Sequence, residues 1–150
     1  MDKHIIETDR APSPGAYSQA VALFYQDRVE IKLAGQTGNL PPLENPRESV
    51  IEGGIGPQTT QTLKNLLALV NVAGGRAEHF VKLEVLLKDP RTAELRKKQR
   101  ETFNAAYKEF FRVHGVKDLP ARVMYWVPEV PMEYPSEDTQ IEIHGEAVLF

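Results

Sequence analysis

Two helix-period stretches on either side of one strand-period run constrain the fold of this chain more than any other feature. Leu63, Leu66, Leu67, Val70 and Ala73 recur at the spacing of one helical face, and a helix with such a stripe must lie on an apolar surface. Gly56 can cap this helix, Pro57 suits its first position, and Gly74-Gly75 stops it. Val81, Leu83, Val85 and Leu87 then alternate with Lys82, Glu84 and Lys88. That is the two-residue period of a half-buried strand, and Asp89-Pro90 ends it. A second helix is predicted from about Thr92 to His114, with Leu95, Phe103, Ala106, Tyr107 and Phe110 on its apolar side.

Upstream, Tyr17, Gln19, Val21 and Leu23 alternate with Ser18, Ala20, Ala22 and Phe24. After a polar break at Gln26-Asp27, Val29, Ile31 and Leu33 alternate with Glu30, Lys32 and Ala34. This predicts a hairpin. Gly35 then opens a segment without periodicity to about Gly54, rich in proline, glycine, asparagine and glutamate; loops of this length are often functional or mobile. Downstream, residues 119–127 read as a strand, as do residues 140–147, with Ile141, Ile143, Gly145 and Ala147 opposite Gln140, Glu142, His144 and Glu146.

Hairpin, helix, strand, helix and two strands is neither strict βαβ alternation nor all-β. The economical arrangement is an α+β sheet with both helices on one face. The other face is expected to carry Arg122 or its neighbours, with Glu142, Lys82 and Glu84. Met124, Trp126 and Phe80 fit there as well, which favours closure of that face by other subunits.

At 150 residues the chain has the usual length of one compact domain, so a single domain over 1–150 is expected. A net charge of -3 gives no support for the basic stripe of a nucleic-acid binder. Arg96-Lys97-Lys98-Gln99-Arg100 is basic, but Glu94 and Glu101 flank it and no aromatics interleave, as on a solvated helix face. No apolar run approaches the roughly 18–20 residues that span a bilayer. Cysteine is absent, which removes disulfides, thiolate nucleophiles and cysteine-based metal sites. His4, His79, His114 and His144 are scattered without metal-ligand spacing. No metal or cofactor is expected, and the mixed, charged N-terminus makes the cytoplasm the default location.

The candidate functional residue is Arg122, which shares a strand face with Met124 and Trp126. An always-charged guanidinium among large side chains needs an anion. That anion is either a protein carboxylate, with Glu142 the obvious candidate, or the carboxylate of a small ligand gripped by two parallel hydrogen bonds.

Several segments, in order, resemble the Rid (YjgF) family of reactive-intermediate imine deaminases, also known as L-PSP endoribonucleases or translation inhibitors. They are Ala11-Pro12, Gly15-Ala16-Tyr17-Ser18-Gln19-Ala20-Val21, Gly35-Gln36, Gln58-Thr59 through Asn65-Leu66 to Ala73-Gly74, and Val81-Lys82 to Lys88-Asp89. Asn104, Tyr107, Phe110 and Phe111, then Pro120-Ala121-Arg122 and Ile141-Glu142-Ile143, complete the series. The resemblance covers nearly the whole chain.

It implies a chorismate-mutase-like α+β fold, a homotrimer with clefts between subunits, and hydrolysis of small 2-imino or 2-enamino acids to 2-keto acids and ammonia. On this reading Arg122 holds the substrate carboxylate and Glu142 positions or deprotonates water. Backbone groups near Gly35 bind the leaving nitrogen or the carboxylate, and Tyr17 and Asn104 line the cleft from different subunits. The chain departs from the family pattern at Ala34, where a serine is common, at Met124, where cysteine is frequent, and at His144. It also differs in the loop at 37–54 and an insertion around 90–100. Met124 would act through its backbone carbonyl and narrow the pocket. Two other readings stand beside the deaminase: a noncatalytic module that binds a small carboxylate in the same cleft, and, with less support, an L-PSP-type endoribonuclease.

Overall fold

The computed structural model describes residues 1–12, 15–131 and 138–150. Strands β1 (Asp2–Ile6), β2 (Ala20–Phe24) and β3 (Val29–Thr37) precede helix α1 (Ile55–Val72). A short 3-10 turn, Ala77–His79, leads into β4 (Phe80–Lys88), then α2 (Ala93–Val113), β5 (Ala121–Val127) and β6 (Ile141–Leu149). The six strands form one mixed sheet in the order β1-β2-β3-β6-β4-β5. Among the described strands only β4 and β5 pair in parallel, because α2 carries the chain back over the sheet between them. β6 lies between β3 and β4.

Both helices cover one face, as the periodicities predict. Ile31 and Leu33 on β3, Leu83, Val85 and Leu87 on β4, and Ile141 and Ile143 on β6 are buried and lie side by side through Val85↔Ile143 and Leu87↔Ile141. Leu63, Leu66, Leu69 and Val70 of α1 and Phe103, Tyr107, Phe110 and Phe111 of α2 close over them. Fully burying such a side chain contributes roughly 1.5–3 kcal/mol before the entropy of ordering it is subtracted. Gly145 permits close approach of β4 to β6 here: a Cβ on it would overlap the Lys82 carbonyl oxygen and stand 2.9 Å from Leu83 Cδ2.

α1 also buries a polar row absent from its predicted face. Gln58 donates to the Asp138 carbonyl at 2.7 Å and accepts from the Gln140 N–H at 2.9 Å. The Asn65 amide donates to the carbonyls of Thr37 and Asn39 at 3.0 and 2.8 Å. These bonds tie the helix to the 37–54 loop, where Asn39 bridges to Val50, and to the start of β6.

Several boundaries differ from the predicted ones. An unpredicted strand, β1, pairs along β2. β2 begins at Ala20 rather than Tyr17, since Gln19 is buried with its side chain accepting from the Thr8 N–H and donating to the carbonyls of Thr8, Ala11 and Pro12. β3 continues past Gly35 to Thr37 through a bulge between Leu33 and Gln36. α1 starts at Ile55, capped by Gly54 at φ 83°. Leu95, expected on the apolar side of α2, is exposed.

The largest correction concerns the sheet faces. Arg122, Met124 and Trp126 sit opposite Leu83, Val85 and Leu87, so they share the helix-covered face. Trp126 confirms this by donating from Nε1 to Gln99 Oε1 on α2 at 2.9 Å. A bulge between Phe80 and Lys82 also turns Phe80 inward, with its ring 6.2 Å from that of Phe111, and leaves Val81 exposed. Lys82, Glu84 and Glu142 do lie on the open face, as expected, and Val123, Tyr125 and Val127 join them there in place of Met124 and Trp126.

Candidate functional site

Arg122 stands near the start of edge strand β5 with its guanidinium against α2. Its Cζ is 5.1 Å from the centre of the Phe103 ring and 4.9 Å from that of Tyr107. These residues are four apart on the helix and present their rings on the same side. The ring faces attract the cation, by about 0.5–1 kcal/mol at an accessible position, without neutralising it. Among the described residues Arg122 forms no ion pair, and the expected pair with Glu142 is not made. Register explains why: Glu142 faces Leu86 and Arg122 faces Leu83, an odd separation along β4 that puts them on opposite sides of the sheet.

Around Arg122 a cavity of about 360 Å³ is lined by Asn104, Tyr107, Lys108, Leu119 and Pro120. Asn104 and Arg122, both assigned to the cleft by the family resemblance, thus line one cavity within this chain. Tyr107 is 2 % exposed, and its hydroxyl makes no hydrogen bond to a described residue. Burial pushes this phenol up to about 12 against the opposing charge of Arg122, so it stays protonated at every working pH. Phe103, Tyr107 and Lys108 were missed as site residues because their helical spacing reads as core and surface. The signal available for Tyr107 and Lys108 was their position three and four residues after Asn104, one turn away along the same side.

Glu142 and Gly35 form a second centre on the open face. Gly35 lies in the β3 bulge and the Glu142 side chain packs directly over it: a Cβ on Gly35 would stand 2.7 Å from Glu142 Cδ. The missing side chain makes room for the carboxyl, and burial pushes that carboxyl above the ordinary range for glutamate. Its neighbours are paired among themselves. Glu84 holds both Lys82 at 3.2 Å and His144 at 3.3 Å, and Lys32 holds Glu146 at 3.1 Å. Glu142 takes no part in this band and has no ion pair or hydrogen bond among the described residues. A half-buried carboxyl with raised proton affinity is a serviceable general base.

The remaining predicted residues lie elsewhere. Tyr17 is 54 % exposed, which excludes a core role, and lines a separate cavity of about 590 Å³ with Glu7, Thr8, Asp9, Gly15, Gln19 and Pro42. Met124 is half-buried against the core beside Trp126 and does not line the Arg122 cavity. Ala34 donates its N–H to the Gln19 carbonyl at 3.0 Å, linking the Gly35 bulge to the Tyr17 segment. Within one chain the six residues therefore divide into Arg122 with Asn104, Glu142 with Gly35, Tyr17, and Met124.

Comparison with known proteins is consistent along the whole chain. The profile of the family described as Endoribonuclease L-PSP matches residues 8–149. A rat 2-iminobutanoate/2-iminopropanoate deaminase is 34% identical over 147 residues, covering 97% of this chain and 90% of the relative. The human protein of the same name is 31% identical over 147 residues with the same coverage. Among solved structures, the YjgF gene product of Escherichia coli superposes with a TM-score of 0.74 at 29% identity, covering 97% of this chain and 98% of that one. Escherichia coli TdcF with bound serine gives 0.74 at 28% identity, covering 98% and 99%. Sequence, fold and family profile agree, and the chain belongs to the L-PSP endoribonuclease family, the Rid/YjgF proteins.

Proposed function

We propose that this protein hydrolyses reactive 2-imino or 2-enamino acids, of the 2-aminoacrylate or 2-iminobutyrate type, to 2-keto acids and ammonia. The observation that carries this reading is the Arg122 guanidinium, held over two rings beside Asn104 and a cavity, with no ion pair among the described residues. The deaminase names of the rat and human relatives supply the substrate class. Arg122 grips the substrate carboxylate by paired hydrogen bonds and orients the imine carbon. Glu142 takes a proton from water as its oxygen adds to that carbon, the C=N π pair moves to nitrogen, and the proton is passed on to that nitrogen, giving a carbinolamine. The carbinolamine hydroxyl then gives its proton to the amino nitrogen, the C–N bond breaks with its electron pair going to nitrogen, ammonia leaves, and a C=O bond remains. No redox step is needed.

Because Arg122 and Glu142 lie on opposite faces of one sheet, the reaction requires a cleft completed by another copy. Arg122 is on the edge strand and Glu142 on the uncovered face, both open to a neighbour. We therefore place the site between subunits of a homotrimer, with Tyr17 and Gly35 contributing from the open side. The same separation favours a second reading, a noncatalytic pocket in which Arg122 and Asn104 bind a small carboxylate without help from Glu142.

The test is a pyridoxal-phosphate threonine dehydratase reaction in which the transient imine is trapped with semicarbazide. Wild-type protein is expected to suppress trapping, and Arg122→Ala and Glu142→Ala to lose roughly 100-fold or more in that effect. No suppression by wild type at any substrate size sinks the deaminase. Suppression by Glu142→Ala equal to wild type removes Glu142 from the chemistry.

A further inference from the structure

The Arg122 cavity holds a second cation. Lys108 lies on α2 one turn beyond Asn104 and next to Tyr107, and all three line the same space as Arg122. Among the described residues the lining contains no aspartate or glutamate, and neither Lys108 nor Arg122 has an ion pair there. Several cations elsewhere are matched, Arg28 with Glu30 and Asp27, Lys32 with Glu146, Lys82 with Glu84, Arg96 with Asp89, and Arg112 with Glu109; what sets Lys108 and Arg122 apart is that both line one cavity. Two cationic side chains thus line one cavity of about 360 Å³, within the roughly 300–1,000 Å³ of small-molecule sites. A ligand with one carboxylate neutralises only one of them.

We propose that Lys108 makes this cavity select 2-imino acids that carry a second carboxylate. Arg122 takes the carboxylate next to the imine carbon, where a planar fork fixes orientation. Lys108 takes the distal one, for which a flexible point charge suffices. Asn104, one turn before Lys108 on α2 and in the same lining, offers one donor and one acceptor group to the chain that joins the two acids. Leu119 and Pro120 supply the apolar wall. The assignment rests on the deaminase reading of the site and narrows its substrate class.

The experiment compares two ligands and two imines. Binding of a five-carbon 2-oxo dicarboxylate and of 2-oxobutanoate is measured by calorimetry. In parallel, semicarbazide trapping is followed for the imines that amino-acid oxidases make from glutamate and from 2-aminobutyrate. In wild type the diacid is expected to bind about tenfold tighter than the monoacid, the scale of one charge-assisted contact, and its imine to be the better substrate by a similar factor. Lys108→Gln should bring both ratios close to one, Lys108→Arg should largely preserve them, and Lys97→Gln on the same helix should leave them unchanged. No diacid advantage in wild type, or an equal loss for both ligands in Lys108→Gln, overturns the proposal and leaves the deaminase reading intact. A Lys108-dependent diacid advantage in a protein that accelerates neither imine overturns the deaminase reading alone.

Discussion

The Glu142 carboxyl lies where a side chain on Gly35 would be, 2.7 Å from an added Cβ to Glu142 Cδ. Gly35→Ala must push that carboxyl aside, and the displaced group is the end of a flexible side chain, so the fold can absorb the change. Deaminase activity should fall about tenfold or more, since a 1 Å misplacement can cost that much. The urea unfolding midpoint should shift by less than about 1 kcal/mol equivalent. A large loss of stability with full activity in the remaining folded protein would contradict this view of Gly35.

Glu142→Gln is expected to separate activity from stability in opposite directions. Burial raises the carboxyl's proton affinity in the folded state, so the folded protein binds this proton more readily than the unfolded chain. Stability from this group is therefore highest at low pH and falls as pH rises through the window between the unfolded and the raised folded value. Above that window the glutamate is a buried charge and the neutral amide is cheaper. At neutral pH Glu142→Gln should raise the melting temperature by roughly 1–3 °C while abolishing hydrolysis, and the gain should shrink on acidification. Calorimetric scans at several pH values measure it.

Tyr107 combines a ring that supports Arg122 with a buried hydroxyl lacking a described partner. Tyr107→Phe keeps the ring and removes the desolvated group, so the protein should gain about 1 kcal/mol. Tyr107→Leu removes the ring, costs roughly 1–3 kcal/mol of core packing and frees the guanidinium. The expected kinetic mark is a KM raised several-fold more than kcat falls in the leucine variant, with substrate affinity in the phenylalanine variant close to wild type.

If clefts between copies unite Arg122 of one chain with Glu142 of another, inactive variants should complement each other. Arg122→Ala and Glu142→Ala, unfolded together and reassembled in equal amounts, should recover about a quarter of wild-type activity, the share of clefts that draw both intact groups. Recovery close to zero would mean that each cleft takes both residues from the same chain, and a monomeric mass by light scattering would remove the cleft altogether.

The sequence makes both helices and the alternation of β4, β5 and β6 legible because each depends on local period alone. It also pairs Asn104 with Arg122 at one site, through motif rather than geometry. Which face Arg122 occupies is not legible. That depends on the parallel register of β5 on β4 and on tertiary contacts with α2 such as Trp126 to Gln99, and a strand's period is the same whichever face is inward. The bulges at Gly35 and Phe80 reverse parity within a strand for the same reason. Gln19 was read as a strand residue because alternation continues through it, although its side chain serves four backbone groups of the neighbouring turn. β1 was hidden by its polar side chains, which an edge strand tolerates.

The position of β6 governs the order in which this chain can fold during synthesis. β1, β2 and β3 can meet as soon as they leave the ribosome, and β4 can join β5 through α2, but these are two separate half-sheets. Only the last strand bonds to both, through β3 on one side and β4 on the other. Until β6 emerges, the apolar flanks of both half-sheets stay open, and long-range pairing of this kind is slow and prone to aggregation. The strand that completes the sheet also carries Glu142, so a nascent chain acquires the proposed general base at the same moment as its structural integrity.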